Sequence, residues 1–219
     1  INFFDPTDFS GVRRLYLAKV RNPSMRMHKF CRILGTLLIF NLGNTHVMAI
    51  EEPNYEVVKE WENASIQIRA YSPRVMAVTE IDEGKNNGFR ILAGYIFGGN
   101  TREQKIEMTA PVQQTMDGPP EMAFMMPSEY SLPDLPTPND KRVTFRETPA
   151  FTAAVIRFNG WADLQKAEER WQKLKTFLVN QNIQIIGQPT LNQYNPPWTL
   201  PFLRRNEIIV PVREMLSST

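Results

Sequence analysis

The sequence predicts an α+β fold in which one antiparallel sheet or distorted barrel is built from two similar halves, each carrying a helix. The first observation behind this is that the apolar period switches from strand alternation to helical spacing and back, twice, between residues 55 and 212. The second is a residue echo between the halves. Arg69-Ala70-Tyr71-Ser72-Pro73 leads to Ala77-Val78, and Arg146-Glu147-Thr148-Pro149 leads to Ala153-Ala154-Val155, so with one gap both read Arg, turn, Pro, strand, helix. Composition agrees with a globular chain: 42% of the 219 residues are hydrophobic and 22% charged, which leaves no room for a disordered, collagenous or coiled-coil reading.

The first half opens with strands at 56–61, 65–70 and 74–81. Asn63-Ala64 supplies the first turn; Ile66 and Ile68 alternate in the second strand, and Val75, Ala77 and Thr79 share one side of the third. Over 86–97 the period changes, because Phe89, Leu92, Ala93 and Ile96 fall at i, i+3, i+4 and i+7 and line one helix face, which Gly98-Gly99-Asn100 then ends. A strand follows at 105–112, broken at Pro111. Six prolines between 119 and 138 make that stretch mostly loop, with a short strand at 122–126.

The second half repeats the order. Strands are expected at 143–146 and 151–158, then a helix at 162–179. Leu164, Ala167, Trp171, Leu174 and Leu178 form its apolar stripe, with Lys166, Glu169, Arg170 and Lys173 on the other side. Strands near 183–186 and 207–212 close the domain.

Residues 25–49 have the three-part build of a secretory signal peptide: basic Arg26, Lys29 and Arg32, an apolar run over 33–42, and Val47-Met48-Ala49 before a cut at Ile50. The alternatives are a buried helix and a retained anchor, but ten apolar residues fall short of the roughly 20 that span a bilayer. Residues 1–24 are unassigned and read as upstream sequence; 50–219 form one domain, expected to be exported to the periplasm or secreted and to be a monomer. Residues 1–49 hold seven of the 25 Lys and Arg and two of the 23 acids, so 50–219 carry a net charge of −3, with no bulk attraction for nucleic acid.

Much catalytic chemistry is excluded. His28, His46 and Cys31 all precede Ile50, so the remainder has neither an imidazole nor a thiol for nucleophilic catalysis or zinc. There is no phosphate loop and no Gly-x-Ser-x-Gly, and the acidic pairs Asp82-Glu83 and Glu168-Glu169 read as charged exposed surface. What remains is an apolar-lined binding module with scattered Arg and Lys, and no catalytic residue is assigned.

Phe89-x-x-Leu92-x-x-Tyr95-Ile96-Phe97-Gly98-Gly99-Asn100, followed by Lys105-Ile106-Glu107-Met108-Thr109-Ala110-Pro111-Val112, resembles the central signature of the SOUL family of haem-binding proteins. Tyr194-Asn195-Pro196-Pro197-Trp198-Thr199-Leu200-Pro201 with Arg204-Arg205-Asn206-Glu207-Ile208 resembles its closing motif, and Phe124-Met125-Met126-Pro127 and Phe158-Asn159-Gly160 also match. The resemblance implies a distorted antiparallel β-barrel flanked by two long helices, with an internal pseudo-twofold and kinship to bacterial effector-binding domains. It implies non-covalent binding of haem or porphyrin in an apolar groove beside the first helix. Some family members are proposed to use an axial His, which this chain does not offer there.

Carried over position by position, the haem-facing residues fall near Phe89, Leu92, Ala93 and Ile96, which also suit simple packing on the sheet. A tetrapyrrole is a flat apolar disc with two carboxylates at one edge, so Arg90, Lys85, Arg204 and Arg205 are candidate propionate partners. Iron would be unligated or weakly held by Met, Tyr or Lys. A competing reading is an effector-binding module whose ligand is not a tetrapyrrole.

Overall fold

The computed structural model describes residues 50–81 and 87–213. The expected leader, the upstream segment 1–24 and Lys85 lie outside the described residues.

The chain runs β1 (Tyr55–Trp61), β2 (Ile66–Tyr71), β3 (Arg74–Glu80), α1 (Gly88–Ile96), β4 (Val112–Thr115), β5 (Glu121–Met125), β6 (Thr144–Thr148), β7 (Phe151–Asn159), α2 (Leu164–Asn180), β8 (Thr190–Gln193) and β9 (Arg205–Pro211). All pairs are antiparallel, and the nine strands lie in the order β1-β2-β7-β9-β8-β4-β5-β3-β6. From β2 onward this order is a pseudo-twofold: β2-β7-β9-β8 on one side mirrors β6-β3-β5-β4 on the other. Each half lends its first strand to the other half, and β1 is an added edge.

This exchange forces the sheet to bend. β2 and β3 are second and eighth in the order, six strand spacings apart, which is roughly 29 Å on a flat sheet. Ser72 and Pro73 alone connect them, and from Tyr71 to Arg74 the chain reaches at most about 11 Å. Pro149-Ala150 imposes the same closure between β6 and β7. The result is a curled half-barrel with both helices on its convex side.

Helix α1 covers one half, where Leu92, Ala93 and Ile96 pack with Ala77, Met122 and Phe124. Helix α2 covers the other, where Ala167, Leu174 and Leu178 pack with Ile68, Ile156 and Ile208. Both helices have legible ends. Asp163 caps α2 by accepting the Lys166 N–H at 2.8 Å. At the end of α1, Gly98 has φ +108 while the Gly99 and Gly98 N–H groups bond the carbonyls of Gly94 and Tyr95, the Schellman arrangement.

Three expectations need correction. The segment 105–112 is not a strand, although Ile106, Met108 and Ala110 alternate. Its donors go elsewhere: Ile106 N–H to the end of α1 at Ile96, Ala110 N–H to Glu51, and the Thr109 hydroxyl to the Met125 carbonyl. Only Lys105 bridges Phe97, and the ladder begins at Val112. Likewise, 183–186 contributes a single bridge, Ile185 to Val212, because the Ile183 N–H is held by the Leu178 carbonyl at the end of α2. The stripe of α2 is narrower than expected, since Leu164 is exposed.

A Cβ built on Gly99 would lie 2.5 Å from the Gly94 carbonyl oxygen, a backbone atom of the α1 terminus that cannot turn aside. Gly99→Ala is therefore expected to cost about 1–3 kcal/mol, read as a lower denaturation midpoint in urea with an unchanged slope.

Candidate functional site

Strand alternation sends one set of side chains under the helices and the other into the concave face. On that face lie Arg69 and Tyr71 of β2, Ala153 and Val155 of β7, Glu207 and Ile209 of β9, and, across the pseudo-twofold, Met76, Val78, Ala123 and Met125. One half of the concave floor is thus charged, and the other is rich in methionine.

The charged half is a closed network around Glu207, which is fully buried. Arg69 donates from Nη1 and Nη2 to its two carboxylate oxygens at 2.9 and 3.2 Å, and Tyr194 donates its hydroxyl at 2.8 Å. Arg205 adds an Nε contact at 3.1 Å and reaches Glu52 with Nη1 at 2.8 Å. The guanidinium groups of Arg69 and Arg205 lie 4.2 and 3.6 Å from the rings of Tyr55 and Tyr194. Burial acts to raise the Glu207 pKa, but the hydrogen bond and charge of Arg69, with the Arg205 charge, outweigh it and hold the carboxyl below its ordinary range. Burial pushes the Tyr71 phenol up to about 12, and Tyr194 is raised by the same cause together with the Glu207 charge. Glu207 is an anion whose lone pairs are already taken, which makes this network a structural brace.

The structure disperses the residues expected to bind. Leu92, Ala93 and Ile96 are 0%, 8% and 1% exposed and face the sheet, so the outer side of α1 is what solvent meets. That side carries Arg90, Gly94 and the capping residue Phe97, all exposed, whereas Phe89 starts the sheet-facing stripe and sets its half-exposed ring edge-on to Phe124 at 5.4 Å. Arg204 is committed to the closing loop: it donates to the carbonyls of Pro197 and Thr199 and stacks 3.7 Å from the Trp161 ring. Arg205 is held by Glu207 and Glu52. Of the four cations, Arg90 is therefore the described one left on an open surface beside α1.

A cleft of about 720 Å³ opens where the two crossover turns meet. Ser72-Pro73 and Pro149-Ala150 form part of its wall, with Met125, Met126, Pro127 and Tyr130 opposite and Arg74 at its base. The sequence reading missed this site. One available signal was the echo, since both prolines that carry it, Pro73 and Pro149, stand at the cleft.

A family model described as SOUL heme-binding protein matches residues 50–211. Heme-binding protein 2 of Mus musculus is 29% identical over 178 residues, covering 73% of this chain and 85% of that protein. The Homo sapiens protein of the same name is 30% identical over 145 residues, covering 59% and 70% respectively. Among solved structures, the EcmrR C-terminal domain shares the fold, with a TM-score of 0.53 at 12% identity over 74% of this chain and 99% of that domain.

Glu207→Gln leaves Arg69 and Arg205 without their shared carboxylate and is expected to cost about 3–5 kcal/mol at neutral pH. Because the folded pKa of Glu207 is depressed, its contribution is present above the unfolded value of about 4.3 and is lost as pH falls through the lower folded value. Denaturation measured across this acid range should show the gap between wild type and variant narrowing as pH drops; a constant gap would contradict the ionised brace.

Proposed function

The chain belongs to the SOUL haem-binding protein family, and we propose that it binds a tetrapyrrole, haem or iron-free porphyrin, non-covalently on an apolar surface beside α1 without an axial histidine. Relatives named for haem binding supply the ligand class. The outer face of α1 is the observation that carries the location. Phe97, 65% exposed, stands at the C-terminal end of this face, and Phe89, 44% exposed with its ring edge on Phe124, at its border with the sheet about 12 Å away along the helix axis. Between them Gly94 is bare: a Cβ there would have nothing within 4 Å. A flat macrocycle can approach the backbone at such a glycine, with the Phe97 ring beside it. Arg90, one turn before Gly94, is placed to meet a propionate, and Leu92, Ala93 and Ile96 hold the helix to the sheet beneath.

Among the described residues of this face none donates to iron. Residues 50–219 contain no His or Cys, and Phe89, Arg90, Gly94 and Phe97 offer no Met, Tyr or Lys. The macrocycle, not the metal, then supplies the affinity. Among the described residues no helix is long and apolar enough to cross a membrane. The family relation points to a binding role, and the proposal includes export directed by residues 25–49 and a monomeric carrier.

Titration of the chain with haemin and with protoporphyrin, followed by absorbance and tryptophan quenching, should give saturable binding of similar strength for both. Gly94→Leu should weaken both at least tenfold, while Gly94→Ala stabilises the fold by about 1 kcal/mol through helix propensity. Unchanged affinity in Gly94→Leu would remove the site from α1, and no binding of either ligand would sink the tetrapyrrole reading.

A further inference from the structure

The cleft between the crossover turns holds a cation that, among the described residues, has no counter-ion. Arg74 opens β3 and lines both the cleft and a void of about 10 Å³ behind it, which is walled by Tyr71, Gln113 and Asn192. Its Nε and Nη1 are buried and have no hydrogen-bond partner. Its contacts are two ring faces, Tyr71 and Phe151, each 5.1 Å from Cζ, and these rings stack on one another at 5.1 Å. Ring faces return only part of what a guanidinium loses on leaving water. Burial lowers the Arg74 pKa, and the opposing influences come from Tyr71 and Tyr194, not from an acid. Buried donors without a protein partner at the base of an open cleft point to a group that a ligand can engage.

The remaining walls restrict what that ligand is. Met125, Met126, Pro53, Pro127 and Pro149 give an apolar channel. Glu51, Glu52 and Glu147 also line the cleft: Glu147 and Glu52 are exposed and stand toward the rim, and Glu51 is half-buried. Arg74, half-buried as a residue, has its Nε and Nη1 buried and also lines the inner void, which puts its guanidinium at the base. Glu52 is paired with Arg205, and Glu51 accepts the Ser128 N–H at 3.0 Å. Positive charge below and negative charge above disfavour a tetrapyrrole, whose two propionates would stand among the carboxylates. A bare cation would meet Arg74, and a simple anion would have to pass the rim.

We propose that this cleft is a second ligand site, separate from α1, for an amphipathic zwitterion that enters carboxylate first, with its anionic end on Arg74, its apolar body along Met125 and Met126, and its cationic group level with Glu51 and Glu147. Only this order of groups satisfies the floor, the walls and the rim together.

The test uses the full chain with methyl-labelled methionine, the Met125 and Met126 signals being assigned by substitution to Ile. The probes are 11-(trimethylammonio)undecanoate, whose carboxylate and quaternary ammonium stand at opposite ends of an alkyl chain, decanoate and decyltrimethylammonium, all below their micelle concentrations. The zwitterion should shift both methyl signals saturably and bind at least tenfold more tightly than decyltrimethylammonium. Arg74→Met should abolish this preference while leaving the melting temperature unchanged or higher. Absence of shifts at Met125 and Met126, equal binding of the cation, or undiminished zwitterion binding by Arg74→Met would overturn the proposal. Should Arg74→Met fail to fold, the exposed Glu147→Lys decides: it should weaken the zwitterion relative to decanoate, and an unchanged ratio would overturn the rim assignment. Haemin titration of the same variants should match wild type, which separates failure here from failure of the tetrapyrrole reading.

Discussion

Two connections of two residues each, Ser72-Pro73 and Pro149-Ala150, govern the architecture. They join strands that the hydrogen-bond ladder sets at opposite ends of the sheet, and no flat sheet satisfies both at once. Curling follows, and from curling follows a division of labour between the two faces. The convex side meets the helices and can be apolar throughout, as Ile66, Ile68, Ile156 and Ile208 are. Among the described residues the concave side carries no helix. It must be filled by its own side chains, and the crossover turns leave a cleft at the one corner where the two ends of the sheet are drawn together.

The Arg69–Glu207 pair is how one half fills that space. Arg69 on β2 reaches across β7, whose concave residues Ala153 and Val155 are small enough to let it pass, and meets β9. A buried pair is weak evidence of stability by itself, since desolvation offsets its attraction. Here Tyr194 and Arg205 complete the coordination of Glu207, leaving no carboxylate oxygen without a donor. The contrast with Arg74 is instructive. Both arginines are largely withdrawn from water and both lie against tyrosine rings, yet one has a carboxylate and the other has none. The difference marks one as brace and the other as receptor.

The helices, their faces and the repeated order of strands were readable because the convex side obeys hydrophobic period. Leu92 and Ile96, or Leu174 and Leu178, announce themselves at helical spacing. Strand β8 escaped notice for the opposite reason: Thr190, Leu191, Asn192 and Gln193 contain one apolar residue, because Asn192 turns into the polar concave interior and is buried there. The segment 105–112 deceived in reverse, alternating like a strand while its N–H groups were spoken for by α1 and Glu51. Arg204 and Arg205 look like free cations in sequence, and nothing local shows that Pro197, Thr199, Glu52 and Glu207 will claim them. Pairings across more than a hundred residues, such as Arg69 with Glu207, are properties of the fold rather than of any window of sequence.

The same separation of faces makes the two proposed sites unlike surfaces. The outer face of α1 is open, aromatic and carries Arg90, which suits a broad planar molecule with acidic edges. The cleft is narrow, apolar in its middle and charged oppositely at base and mouth, which suits a slender molecule with charges at both ends. Electrostatics alone keeps the two apart, since propionates that Arg90 attracts are repelled by Glu51 and Glu147 at the cleft. The helix rests on β3 and β5, and those strands also carry Arg74 and Met125, so both proposed sites are built on the same two strands from opposite faces.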